Sequence, residues 1–103
     1  MGHSYPFFSV IIPTYERAQQ LTVCLRALAC QNYPRDRFEV LVVDDGSGTS
    51  PKAAVNAFLG QLNVRLLAQL HSGPAVARNY GRDMQRSKIV READDLCLFK
   101  TQN

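Results

Sequence analysis

Two near-continuous apolar runs, Phe7–Ile12 and Phe38–Val43, constrain this chain more than any other feature. Each is closed by a turn-forming segment, Pro13-Thr14-Tyr15 after the first and Asp44-Asp45-Gly46-Ser47-Gly48 after the second. Runs of this length without polar alternation read as strands buried on both faces. Between them Leu21, Leu25 and Leu28 recur at helical spacing, with Ala18 and Cys24 beside the same stripe. That pattern predicts an amphipathic helix over Arg17–Gln31, ended by Asn32-Tyr33-Pro34. Pro51, with Ser50 as cap, opens a second helix whose apolar face is Ala54, Val55, Phe58 and Leu59. Gly60 stops it, and Val64–Leu67 reads as a third strand carrying one charge, Arg65. Pro74 then opens a helix running to about Ser87, and Ile89-Val90 begins a fourth strand.

Strand and helix alternate throughout, which predicts an α/β fold: three α/β/α layers around a mostly parallel sheet joined by right-handed crossovers. A chain of 103 residues fits one small domain, able to bury roughly 65% of its unfolded surface. The apolar runs are far too short to span a bilayer, and Pro6–Pro13 lacks the features of a secretory leader. A net charge of +3 is mild. Arg78, Arg82, Arg86, Lys88 and Arg91 are interleaved with acids and suit a solvated helix face, so no nucleic-acid partner is expected. Cys24, Cys30 and Cys97 lack metal-ligand spacing and are expected to be reduced, in keeping with a cytoplasmic chain.

Ligands of parallel α/β sheets bind beyond the carboxyl ends of the strands. The candidate segments are therefore Pro13–Arg17, Asp44–Ser50, His71–Pro74 and the residues after Val90. Asp44 and Asp45 follow an apolar strand directly and must find solvent, a metal or a ligand, since burying them unpaired is costly. On spacing alone, ligand-binding acids and turn or capping acids fit them equally well. Lying at a strand end, Asp45 should tolerate replacement by Ala with little loss of fold. Thr14 is a candidate cap for the first helix. Gly73-Pro74-Ala75-Val76-Ala77-Arg78 starts a helix whose first-turn amides favour an anion such as a diphosphate, with Arg78 adding charge; taken alone, these residues fit a plain helix start with a surface arginine better.

Together these blocks resemble the amino-terminal half of family 2 glycosyltransferases. The resemblance rests on Phe8-Ser-Val-Ile-Ile-Pro-Thr-Tyr15, Leu21…Leu25…Leu28…Gln31, Phe38-Glu-Val-Leu-Val-Val-Asp-Asp-Gly-Ser47 and Gly73-Pro-Ala-Val-Ala-Arg-Asn79 followed by Gly81. It covers residues 8 to about 81. It implies a Rossmann-like, GT-A nucleotide-sugar-binding half, here truncated. Residues 1–103 would form a single partial domain, with 82–103 a diverged tail. By this resemblance Pro13, Thr14, Tyr15 and Asp45 hold the base of a nucleotide-sugar donor, a UDP-sugar above all, Asp44 joins them in the nucleotide site, and Arg78 holds the nucleotide or its phosphates. Asp94 and Asp95 stand where the family carries its ligands for Mg²⁺ or Mn²⁺, with Leu96 in the third position of that motif. The implied reaction transfers a sugar to an acceptor hydroxyl, saccharide or lipid-linked, in family members that often work at the cytoplasmic face of a membrane. Departures after Gly81 point instead to a fragment or degenerate copy limited to nucleotide binding. The alternative is a non-enzymatic module that self-associates through an exposed sheet edge. A flavodoxin-like or receiver-like domain is a third option, disfavoured by the position of the acidic pair.

Overall fold

The computed structural model describes residues 6–85 and the backbone of residues 90–92. Its elements are β1 (Phe8–Thr14), α1 (Ala18–Ala29), a single 3-10 turn (Arg35–Arg37), β2 (Phe38–Asp44), α2 (Lys52–Asn56), β3 (Val64–Ala68), α3 (Pro74–Met84) and β4 (Val90–Glu92). The four strands form one parallel sheet in the order β3-β2-β1-β4. β4 continues through Arg91 and Glu92, beside Val10 and Ile11 of β1.

Both faces of the sheet are covered, which is why the strands carry unbroken apolar runs. Val10 and Ile12 of β1 and Val40 and Val42 of β2 pack with Leu21, Cys24, Leu25 and Leu28 of α1 and Val55 of α2. The intervening Ile11, Leu41 and Val43 face the other way, against Ala77 of α3. Each large apolar side chain buried here contributes about 1.5–3 kcal/mol. The three α/β/α layers follow directly from the alternation of strands and helices.

Local chemistry sets the element ends. Ser50 Oγ accepts a hydrogen bond from the Lys52 amide at 3.3 Å, but Ser50 is not the cap expected: Pro51 holds that position and α2 starts at Lys52 with no side-chain cap. α2 is shorter than expected because the chain tightens into three-residue turns at Phe58 and Leu59, leaving Leu59 exposed rather than on the apolar face. α3 ends at Met84, where Gln85 turns extended. Arg65 Nη2 donates to the Met84 carbonyl at 2.7 Å, placing a cation at the negative end of that helix. The same guanidinium lies 3.4 Å from Glu39, a fully buried carboxylate that also accepts from Ser9 Oγ at 2.6 Å. Gly81 allows α3 to lie directly on β1: a Cβ there would stand 2.5 Å from Ile11 Cγ2.

A further expectation is corrected: Thr14 is not a helix cap; it is the buried last residue of β1, and α1 begins after Arg17 with no side-chain cap. Cys24 is buried in the apolar stripe of α1, Cys30 is a free, exposed thiol, and Cys97 lies outside the described residues. No helix among the described residues is long and apolar enough to cross a membrane.

Candidate functional site

The register brings the carboxyl ends of β1, β2 and β3 level, with Thr14 beside Asp44 and Asp44 beside Ala68. The ladder runs one step further: the Asp45 amide donates to the Thr14 carbonyl at 2.9 Å and the Gln69 amide to the Asp44 carbonyl at 3.0 Å. Three loops are therefore anchored side by side. A cleft of about 320 Å³ opens between them and the start of α3, lined by Pro13, Thr14, Tyr15, Arg17, Asp45, His71, Pro74 and Arg78. That volume falls at the lower end of small-molecule sites, roughly 300–1,000 Å³.

Five of the six residues expected to bind a nucleotide, Pro13, Thr14, Tyr15, Asp45 and Arg78, line this one cleft. Asp44 does not. Its carboxylate accepts from Ser47 Oγ at 2.6 Å and from the Ser47 amide at 3.3 Å, closing the turn after β2 as an Asx-type bridge. Ser47 Oγ also accepts from the Glu16 amide at 2.8 Å, and the Glu16 carboxylate accepts from the Gly48 amide at 2.6 Å. These bonds tie the loop after β1 to the loop after β2. They hold Glu16 at φ 55°, in a left-handed conformation that a non-glycine residue seldom adopts.

Asp45 is the hub on the other side. Its Oδ1 accepts from Gln69 Nε2 at 2.8 Å and from the Ser72 amide at 2.7 Å. Its Oδ2 accepts from the Gly73 amide at 2.9 Å and lies 3.0 Å from His71 Nδ1. Only 3% of the residue is exposed, so four donors meet the roughly four acceptor positions of a carboxylate. Burial pushes its pKa upward, but the bonds from Gln69, Ser72 and Gly73 and the neighbouring His71 outweigh it and hold the group below its ordinary value of 3.8. Asp45 lines the cleft, but its carboxylate does not stand free at the strand end. It fastens the segment from Gln69 to Gly73, so replacing it should cost fold stability, against the expectation of little loss of fold. Gly46 makes the close approach possible, with φ +83° and a Cβ position only 2.8 Å from the His71 backbone nitrogen.

Arg17 and His71 also line the cleft. The sequence leaves Arg17 open to solvent or to the crevice, while nothing in the local pattern marks the His71 side chain. The His71 ring stacks on Tyr15, with centroids 4.3 Å apart and planes 27° apart. Asp94 and Asp95, the candidate metal ligands, lie outside the described residues. Among the described residues, no group of three or more His, Cys, Asp or Glu side chains could hold a metal ion.

The profile of the family described as Glycosyl transferase family 2 matches residues 9–100. Glycosyltransferase AglE of Haloferax volcanii is 36% identical over 99 residues, covering 94% of this chain and 33% of its own length. The crystal structure of residues 1–349 of TarS from Staphylococcus aureus, in complex with UDP, superposes with a TM-score of 0.82 at 33% identity, over 87% of this chain and 27% of that one. A mannosyltransferase from Pyrobaculum calidifontis, solved with GDP-Man and Mn²⁺, gives a TM-score of 0.82 at 31% identity, over 90% and 28%. This chain thus spans about a third of AglE's length and about a quarter of the TarS structure's.

Proposed function

Because the chain belongs to glycosyl transferase family 2 and has the GT-A fold, we propose that its cleft holds the nucleotide of a sugar-nucleotide donor, UDP in preference to other nucleotides. The observation that carries this reading is the convergence of Tyr15, Asp45, Arg78 and the start of α3 on one cleft at the carboxyl edge of the sheet. Tyr15, 41% exposed, offers an aromatic face to a base. Asp45 offers a carboxylate to a base N–H. Arg78, one turn into α3, and the amides of Ala75 and Val76 suit the diphosphate, since a helix start favours negative charge. The TarS structure with UDP supports the choice of nucleotide.

The reaction this serves is transfer of the donor's sugar to an acceptor hydroxyl, saccharide or lipid-linked, with the nucleoside diphosphate leaving. Here the chain's own residues bind the leaving group and orient it; no described side chain in the cleft is assigned as general base. Mg²⁺ or Mn²⁺ would neutralise the diphosphate when bound. Asp94 and Asp95 are the candidate ligands, and no step is assigned to the ion.

A thermal-shift panel of nucleoside diphosphates and UDP-sugars, with and without Mn²⁺, tests the proposal. A ligand at a hundred times its dissociation constant stabilises by about 2.7 kcal/mol. At roughly 4–8 °C per kcal/mol for a domain of this size, UDP should raise Tm by about 10–20 °C. Equal or absent shifts with all nucleotides would overturn the assignment.

A further inference from the structure

The proposed base subsite already contains a planar ring with an N–H. The His71 imidazole lies against Tyr15 at 4.3 Å, and its Nδ1 is 3.0 Å from Asp45 Oδ2 and 3.1 Å from the Asp45 carbonyl. Both neighbours of Nδ1 are acceptors, so that nitrogen carries the proton. A pyrimidine base stacked on Tyr15 with its N–H directed at Asp45 would make the same two contacts.

We propose that His71 is a self-ligand of the nucleotide site, occupying the base position until the nucleotide displaces it. This rests on the nucleotide reading above. The four donors around Asp45 show why His71 is the one to leave. Two are main-chain amides, of Ser72 and Gly73, fixed where the chain enters α3. Gln69 is partly buried and held beside β2 by its own amide. The His71 side chain, by contrast, is 61% exposed, and swinging it into solvent frees one acceptor position and one face of Tyr15 together. Its backbone can stay where Gly46 requires it. The consequence is a site that binds UDP more weakly than its contacts allow, because each binding event first breaks a ring stack and a hydrogen bond to a carboxylate.

Calorimetric titration of UDP into the full chain and into His71→Ala separates the outcomes. Loss of the competing ring should tighten UDP binding about tenfold. His71→Asn, which keeps an N–H donor but has no ring for Tyr15, should fall between the two. If the parent binds UDP and His71→Ala binds it equally or more weakly, the self-ligand proposal fails while the nucleotide site stands. If neither chain binds any nucleotide, both fail. Binding by His71→Ala alone supports both. In the parent, the imidazole ¹⁵N–¹H resonances of His71 report displacement directly and require no variant to fold: they should change on saturation with UDP, and unchanged resonances with UDP bound overturn the proposal.

Discussion

Replacing Asp45 by Asn is the sharpest probe of the site, because it changes one oxygen to an NH₂ without changing size. The amide oxygen can keep the bonds from Gln69 and Ser72, at 2.8 and 2.7 Å in the parent, but as neutral bonds. The NH₂ would then face the Gly73 amide, which donates to Oδ2 at 2.9 Å, donor against donor. A bond to a charged group contributes about 1.5–3 kcal/mol against about 0.5–1.5 for a neutral one, and an unmet buried donor costs about 1–3 kcal/mol. The sum is a loss of about 3 kcal/mol at neutral pH, or a fall in Tm of about 12–24 °C, read by circular dichroism. The loss should also depend on pH. The folded state holds this carboxylate below 3.8, so the unfolded chain takes up the proton first. The stabilisation is present in full above the ordinary carboxylate value and is lost as pH falls through the lower folded-state value. Parent and Asp45→Asn melting temperatures should therefore converge as the pH falls below 3.8 and through the lower folded-state value. A Tm within about 4 °C of the parent at pH 7, or a gap that keeps its size as the pH falls, would refute the view that a charged Asp45 fastens the loop.

Gly81→Ala should destabilise, although Gly to Ala inside a helix ordinarily gains about 1 kcal/mol. The new Cβ meets Ile11 Cγ2 at 2.5 Å, and overpacking of this kind costs about 1–3 kcal/mol; in urea melts the double variant with Ile11→Ala should lose less than the sum of the singles. Tyr15→Ala should weaken UDP binding about 5- to 10-fold by loss of a stacking face, with Tm moving by less than about 4 °C, since the ring is partly exposed; unchanged affinity by calorimetry removes Tyr15 from the site. Ser9→Ala removes a 2.6 Å donor from the buried Glu39 and should cost about 1–3 kcal/mol in chemical denaturation; a neutral result would show that this carboxylate does not depend on the Ser9 hydroxyl.

Much of the fold was legible because it follows from periodicity. Leu21, Leu25 and Leu28 marked the buried stripe of α1, and the unbroken runs Val10–Ile12 and Val40–Val43 required a sheet covered on both faces, as it is. The 3-10 turn at Arg35–Arg37 was missed, since one turn of charged residues has no periodicity to read. The early end of α2 was missed too, because Phe58 and Leu62 are buried whether or not the helix continues to them. The strand-end rule selected the loops that line the cleft, and Asp44 and Asp45 looked alike as adjacent acids.

The amino-acid sequence by itself determined the layered architecture, the four loops where chemistry can reside and the family resemblance, because these depend on the order of apolar runs and breakers along one dimension. Only the tertiary structure decided what each polar residue at the sheet edge does. It turned Asp44 inward to close its own turn and Asp45 across to hold Gln69, Ser72 and Gly73. It also laid His71 on Tyr15, 56 residues apart in the chain. The physical reason is that a strand's direction is set by its own pattern, whereas a carboxylate's partner is set by which other strand ends stop at the same level. The register of β1, β2 and β3 fixes that level, and register exists only once the sheet is assembled.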